Sequence, residues 1–326
     1  MKNVLLLCGG NSTEHKVSLM SAQSILENID KTKFNISACI IDFDNCWYEY
    51  HDTTESITEW KNYNIKKVTN IIEYLQSFDI VFPITHGING EDGKLQGMLD
   101  LFNIKYIGCK TLSSAIGMDK VFSKIVFKYL NIPQVPFIIV KNPKCNIKDI
   151  TDTLDFPMII KPANGGSSIG ISKVNNKVEL KKAIKQAFKF DKKIIVEKFI
   201  IARELECAII KDKICCTSEV GEIKSANDFY DYNAKYENKK SYTLIPADIS
   251  KSVSDQIKEY AKIAFNGLEG CGFARVDFFY DETNEQIYIN EINTLPGFTS
   301  ISMYPQLFIQ KGISYKDLIT KLLNNC

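Results

Sequence analysis

Two short segments late in the chain combine residue types suited to phosphate chemistry. Phe273–Phe279 reads Phe-Ala-Arg-Val-Asp-Phe-Phe and Tyr288–Asn293 reads Tyr-Ile-Asn-Glu-Ile-Asn, with a polar turn near Asp281–Glu285 between them. A strand repeats every two residues, so Arg275 shares a face with Asp277, and Glu291 with Asn293. A hairpin can bring all four together. Two carboxylates and an amide oxygen are hard ligands suited to magnesium shared with phosphates, and an arginine among them can clamp a phosphoryl oxygen. The alternative is a salt-bridged surface face. The second strand is not cleanly amphipathic, because Ile287 and Ile289 share parity with Glu291.

Three further segments place polar groups beside glycines. Lys161-Pro-Ala-Asn-Gly-Gly-Ser-Ser-Ile-Gly170 follows an apolar run and can offer a cation, backbone N–H groups and hydroxyls to phosphates. It lacks the GK[ST] order of a P-loop, and alone it reads equally as a hairpin turn. His86-Gly-Ile-Asn-Gly-Glu-Asp-Gly93 sets a histidine among three glycines, a composition that lets backbone approach a small ligand. Gly9-Gly-Asn-Ser-Thr-Glu-His15 repeats the pattern, and Glu14 can pair with an ammonium or simply meet a helix dipole. Phe229–Tyr236 is aromatic and carries Lys235 within a long polar stretch, Glu222–Lys240, that reads as a functional loop.

The elements that would carry these groups change character along the chain. Strands at Val4–Cys8, Phe34–Asp42 and Asp79–Ile84 alternate with helical patterns at Ser18–Asn28 and Ile71–Gln76, which predicts a parallel sheet with helices on its faces. Ligands of such sheets sit beyond the strand C-termini, where Gly9-Gly10 and His86–Gly93 fall. After a helix over about Asp119–Leu130, strands come in neighbouring pairs: Pro136–Val140, Met158–Lys161, Lys193–Phe199, Glu204–Lys211 with Lys213–Ser218, and Phe273–Tyr280 with Gln286–Asn293. Helices over Val178–Phe190 and Ser254–Gly267 separate them, an α+β grammar.

The chain has 326 residues, enough for two or three packed lobes. A net charge of +1 gives no electrostatic case for nucleic acid or an anionic membrane as the main partner. Ten cysteines show no CxxC spacing and read as reduced, small apolar residues, and no apolar run suits a signal peptide or a membrane span. A cytoplasmic protein is expected. Arginine occurs only at Arg203 and Arg275 in a lysine-rich chain, so an arginine kept here marks a place needing a flat, permanently charged fork.

With these pieces assembled, the chain resembles the D-alanine–D-alanine ligase family of the ATP-grasp superfamily. The matching stretches are GGNSTEHKVSL, HGINGEDGKLQG, GMDK, KPANGGSSIG, FYDYNAKY, FARVDFF and NEINTLPGFTSISMYP, in order from residue 9 to residue 305. The resemblance implies an N-terminal α/β domain over 1–110 and an ATP-grasp domain over 111–326, with a central lobe at about 120–215 and a C-terminal lobe with its lid loop at about 216–326. It implies ATP as co-substrate and two magnesium ions, or manganese, on Asp277, Glu291 and Asn293. Lys120, Lys161, Lys235 and Ser168 would meet the ATP phosphates. Glu197, Phe199, Ile200 and Glu204 would line the adenine and ribose sites. Glu14 and His86 would serve the first D-alanine, with Ser167 and Tyr236 closing the lid. Arg275 and the Gly297 N–H would hold the oxyanion, and Ser302 and Met303 the second carboxylate. Relatives that prefer D-lactate or D-serine often carry arginine where Met303 stands. A homodimer is a further expectation of the resemblance.

Overall fold

The computed structural model describes residues 1–50, 56–63, 65–224 and 242–325. His51, Lys235, Tyr236 and the rest of the Phe229–Tyr236 segment lie outside the described residues.

The first sheet is built on β1 (Lys2–Gly9), whose apolar run is buried on both sides. It pairs in parallel with β2 (Phe34–Ile41) and β5 (Ile80–Pro83). Two edge strands, β3 (Trp47–Tyr50) and β4 (Lys66–Lys67), run antiparallel, so the expected parallel sheet is a mixed one. Alternate residues of β1 enter different cores: Leu5 and Leu7 pack with Leu95 and Leu99, whereas Val4, Leu6 and Cys8 pack beneath α1 (His15–Asn28). Such two-sided cover is what a central parallel strand needs. Helices α2 (Ile71–Gln76), α3 (Lys94–Leu101) and α4 (Thr111–Met118) complete this part of the chain.

A four-stranded antiparallel sheet follows, in the order β6 (Phe137–Val140), β9 (Ile194–Lys198), β7 (Met158–Pro162), β8 (Ser172–Val174). Helices α5 (Lys120–Tyr129), α6 (Ile147–Thr151) and α7 (Lys177–Ala187) accompany it. The start of α5 is set by Asp119, whose carboxylate accepts from the Val121 and Phe122 N–H groups; Asn176 caps α7 in the same way.

The last sheet runs β12 (Tyr242–Leu244), β11 (Cys215–Lys224), β10 (Arg203–Lys211), β13 (Gly272–Asp281), β14 (Gln286–Asn293), all antiparallel. Arg203–Lys211, grouped above with the central lobe, therefore pairs in this sheet. Glu222–Lys224, read above as loop, is the end of β11. One face rests on α8 (Lys251–Gly267) through Leu205, Cys207, Val276, Phe278, Ile257 and Phe265. The other face is divided lengthwise. At one end Ala208, Ile210 and Phe273 join the first sheet's core, together with α9 (Met303–Gln310) and α10 (Tyr315–Asn324). At the other end it carries charge.

Candidate active site

That charged end is the β13–β14 hairpin. Arg275 stands opposite Asn293 and Asp277 opposite Glu291, so all four share one face. The register slips after Asp277, where Phe278 pairs with Ile289 and leaves Asn290 as an extra residue. This bulge removes the parity conflict seen in the sequence: Ile287 and Ile289 point into the core while Glu291 and Asn293 face the opposite way. Glu206 on β10 pairs with Asp277 and joins the same face. The Arg275 fork reaches both Asp277 oxygens, at 2.7 and 2.8 Å, and its Nε lies 2.9 Å from Glu206. Burial works against the Arg275 charge, but Asp277 and Glu206 outweigh it and push its pKa well above the ordinary value. Asn293 donates to Asp277 at 2.9 Å, and Glu291 lies 3.4 Å from the Lys120 ammonium.

Among the described residues, no three His, Cys, Asp or Glu side chains are placed to hold a cation by themselves. Asp277, Glu291 and Asn293 still fit a hard divalent ion that takes its remaining oxygens from phosphates and water, the habit of magnesium.

Between this hairpin and the four-stranded sheet lies a cleft of about 530 Å³. Lys120, Lys161, Ser167, Ser168, Glu197, Phe199, Ile200 and Glu204 line it, facing Arg275, Asp277 and Glu291. Lys161 is the penultimate residue of β7, with its ammonium 2.6 Å from Glu197 and 3.3 Å from the amide oxygen of the bulged Asn290. Burial opposes the Glu197 charge, but Lys124 and Lys161 overcome it and hold the carboxyl down at about 2. Lys120, at the start of α5, donates to the Gly165 carbonyl at 2.9 Å and so ties that helix to the glycine-serine loop. Within the loop Ser167 and Ser168 both have positive φ, 51° and 58°, a costly backbone shape for serine. Phe199 presents a ring under the Lys173 ammonium at 3.6 Å.

Glu14 and its neighbours gather at the end of the cleft nearest the first sheet. Glu14 occupies the N-cap of α1 but makes no capping bond with its side chain. Its carboxylate accepts from the Ser167 hydroxyl at 2.8 Å instead. Gly87 and Gly166 close on that carboxylate: a Cβ on either would lie 2.6 or 2.7 Å from Glu14 Oε2. His86 is buried and spends both ring nitrogens on protein. Nδ1 donates to the Leu295 carbonyl at 2.9 Å, and Nε2 accepts from Ser21 Oγ at 3.0 Å, which itself accepts from the Phe298 N–H. Burial lowers the His86 pKa, which suits this neutral tautomer. The ring thus braces the loop that carries Gly297. Ser302 stands at the N-cap of α9 without a capping bond, its hydroxyl engaged with Thr299 instead, and Met303 is buried at the first turn, so this site offers backbone N–H groups at a helix N-terminus.

Glu206, Ser21 and Lys124 went unread in the sequence. Glu206 was within reach, since it follows Glu204 by one strand period.

Two sheets closing on a lysine-lined cleft, with an acidic hairpin and an arginine on the facing wall, make up the fold of an ATP-grasp carboxylate–amine ligase. Family models described as D-ala D-ala ligase N-terminus and C-terminus match residues 3–109 and 126–324, and the chain belongs to the D-alanine–D-alanine ligase family. It is 42% identical to the D-alanine–D-alanine ligase of Acetivibrio thermocellus, covering 99% of this chain and 95% of that one. Against the D-alanine–D-alanine ligase of Clostridium novyi the identity is also 42%, with 99% and 97% covered. Among solved structures, the VanG D-Ala:D-Ser ligase from Enterococcus faecalis superposes with a TM-score of 0.90 at 37% identity, covering 99% of this chain and 98% of that one. The Coxiella burnetii D-alanine–D-alanine ligase gives 0.89 at 32% identity, with 99% and 93% covered.

Proposed function

We propose that the protein joins two D-alanines into D-alanyl-D-alanine, converting ATP to ADP and phosphate, as a step in cell-wall precursor synthesis. The observation that carries this reading is the Glu14 carboxylate, held by Ser167 between Gly87 and Gly166 at the end of the cleft that Arg275 faces. A half-buried carboxylate at that point is suited to the ammonium of a small amino acid whose own carboxylate must reach a phosphate.

A carboxylate is a poor electrophile, so the first D-alanine is activated. One of its oxygens bonds to the γ-phosphorus of ATP as the bond to ADP breaks, giving D-alanyl phosphate. Lys120 and Lys161 offset charge on the phosphates, and Arg275 bears on the transferred group. The amine of the second D-alanine, having lost its proton, bonds to the acyl carbon. Arg275 and the Gly297 N–H receive the oxyanion, and the C–O bond to phosphate then breaks. Glu197, Phe199, Ile200 and Glu204 hold the adenosine end, Ser168 covers the phosphates, and Ser302 and Met303 receive the second carboxylate. Magnesium or manganese, when held by Asp277, Glu291 and Asn293, supplies neutralisation for phosphate oxygens. His86 acts by bracing the Gly297 loop.

The test is direct. Pure protein with ATP, magnesium and D-alanine should give the dipeptide by mass spectrometry, with one phosphate released per dipeptide; folded protein that gives none defeats the reading. A second reading, D-serine as the second substrate, draws support from the likeness to the VanG D-Ala:D-Ser ligase. Equimolar D-alanine and D-serine in competition separate the two, and Met303 favours D-alanine. We also infer a cytoplasmic homodimer from the family resemblance, which light scattering tests; among the described residues no helix is long and apolar enough to cross a membrane.

A further inference from the structure

Lys124 lies one helical turn beyond Lys120 on α5 and is only 2% exposed. It does not line the cleft. Its ammonium lies 2.7 Å from Glu197 Oε1 and 4.9 Å from the Phe137 ring centroid. The other Glu197 oxygen holds Lys161, and Glu197 is itself only 3% exposed. The three groups form a line from the helix to the cleft: Lys124, Glu197, Lys161.

Two ammonium groups around one carboxylate leave an excess of one positive charge among these three groups, with Glu291 and Glu204 acting on Lys161 from farther off. Burying an uncompensated charge is unfavourable, and fold stability alone would be served as well by a neutral pair or by apolar side chains of the same volume. The excess becomes useful when an anion arrives at the Lys161 end. We propose that Lys124 is a positioning residue of the nucleotide site: it engages one Glu197 oxygen from behind, so that Glu197 is shared between two ammonium groups and cancels only part of the charge that Lys161 presents to the polyphosphate of ATP. Without Lys124, Glu197 and Lys161 would close into a neutral pair, and the cleft would lose one unit of attraction. Burial pulls the Lys124 pKa down against the pull of Glu197, as expected for an ammonium whose compensation is incomplete.

This inference rests on the ATP-dependent reading above, and nucleotide binding measured without D-alanine keeps the two separable. Lys124→Met removes the charge at similar length. Calorimetry with ATP and magnesium should show binding weakened about tenfold or more, the order expected for losing one charge-assisted interaction. In the full reaction the KM for ATP should rise likewise, while the D-alanine KM and the kcat at saturating ATP stay within about threefold. Lys124→Arg keeps a positive charge behind Glu197 and should hold ATP binding within about threefold of the parent, whereas Lys124→Leu, which fills space without charge, should bind as weakly as Lys124→Met. A residue that only fills space predicts the opposite order, with Lys124→Met and Lys124→Leu near the parent and the bulkier Lys124→Arg worse. Should Lys124→Met not fold, Lys124→Leu and Lys124→Arg carry the test by the same comparison. Unchanged ATP binding in Lys124→Met, a parallel rise in both KM values, no retention of binding in Lys124→Arg, or loss of folding in all three would each overturn the proposal. Parent protein that binds ATP but makes no dipeptide would sink the ligase reading and leave Lys124 in place.

Discussion

Arg275 makes its strongest contacts with Asp277 and Glu206 through a planar fork, two of them to the oxygens of one carboxylate. Lysine offers a point charge on a flexible stem and cannot reproduce that bite. Arg275→Lys should therefore lose most turnover, about a hundredfold or more for a lost oxyanion contact, while ATP binding changes little. Near-normal kcat in that variant would remove Arg275 from the reacting centre. Glu14 touches Ser167. Glu14→Gln keeps the shape but not the charge, so it should raise the D-alanine KM by about tenfold or more with the ATP KM nearly fixed. Initial-rate kinetics with each substrate varied in turn check both. At this scale much was legible: Glu14, Lys161 and the Arg275–Asp277 pair were readable from residue type and spacing. Lys124 was not, because a lysine on an amphipathic helix is ordinarily a solvated one, and only the fold shows its head buried against Glu197.

At the scale of the element, one strand of the hairpin carries a surplus residue. Asn290 interrupts the pairing, so apolar residues before it and acidic and amide residues after it point to opposite faces. Deleting Asn290 would give regular alternation that leaves Ile287 and Ile289 on the core face and Glu291 and Asn293 on the cleft face. The deletion variant should therefore fold, with a melting temperature near the parent's, and keep measurable ligase activity. Asn290→Ala keeps the surplus residue, loses only the 3.3 Å bond to Lys161, and should retain measurable activity too. A deletion variant that fails to fold would show the register argument to be wrong. The sequence made both strands visible through their period of two, and it made the clash of parity visible without its cause. A bulge leaves no residue type of its own here, so the conflict at Ile287 and Ile289 was its only trace. The antiparallel edge of the first sheet was also hidden, since Trp47–Tyr50 and Lys66–Lys67 are too short to announce themselves.

For the molecule as a whole, acid should act through His86. Burial holds its folded pKa below the ordinary 6.5, with Glu14 pulling the other way. As pH falls, the unfolded chain takes up the proton first, so the contribution to stability is full above 6.5 and declines as pH drops toward the depressed folded value. Melting temperatures at pH 8 and pH 5.5 should fall less steeply for His86→Gln than for the parent; equal slopes would show that the ring titrates freely.

The hydrogen bonds of His86 to Leu295 and, through Ser21, to Phe298 are one part of a broader union. Phe82 of the first sheet and Ile84 just beyond it share a core with Phe273, Phe298, Tyr304 and Phe308, and the Tyr315 hydroxyl donates to the Phe298 carbonyl. The family divides near residue 110, yet a chain severed there would leave each piece with a wide apolar scar facing water. Neither fragment is expected to stay dispersed alone. Mixed promptly, the halves should find one another and regain the dipeptide-forming pocket, since its floor belongs to both.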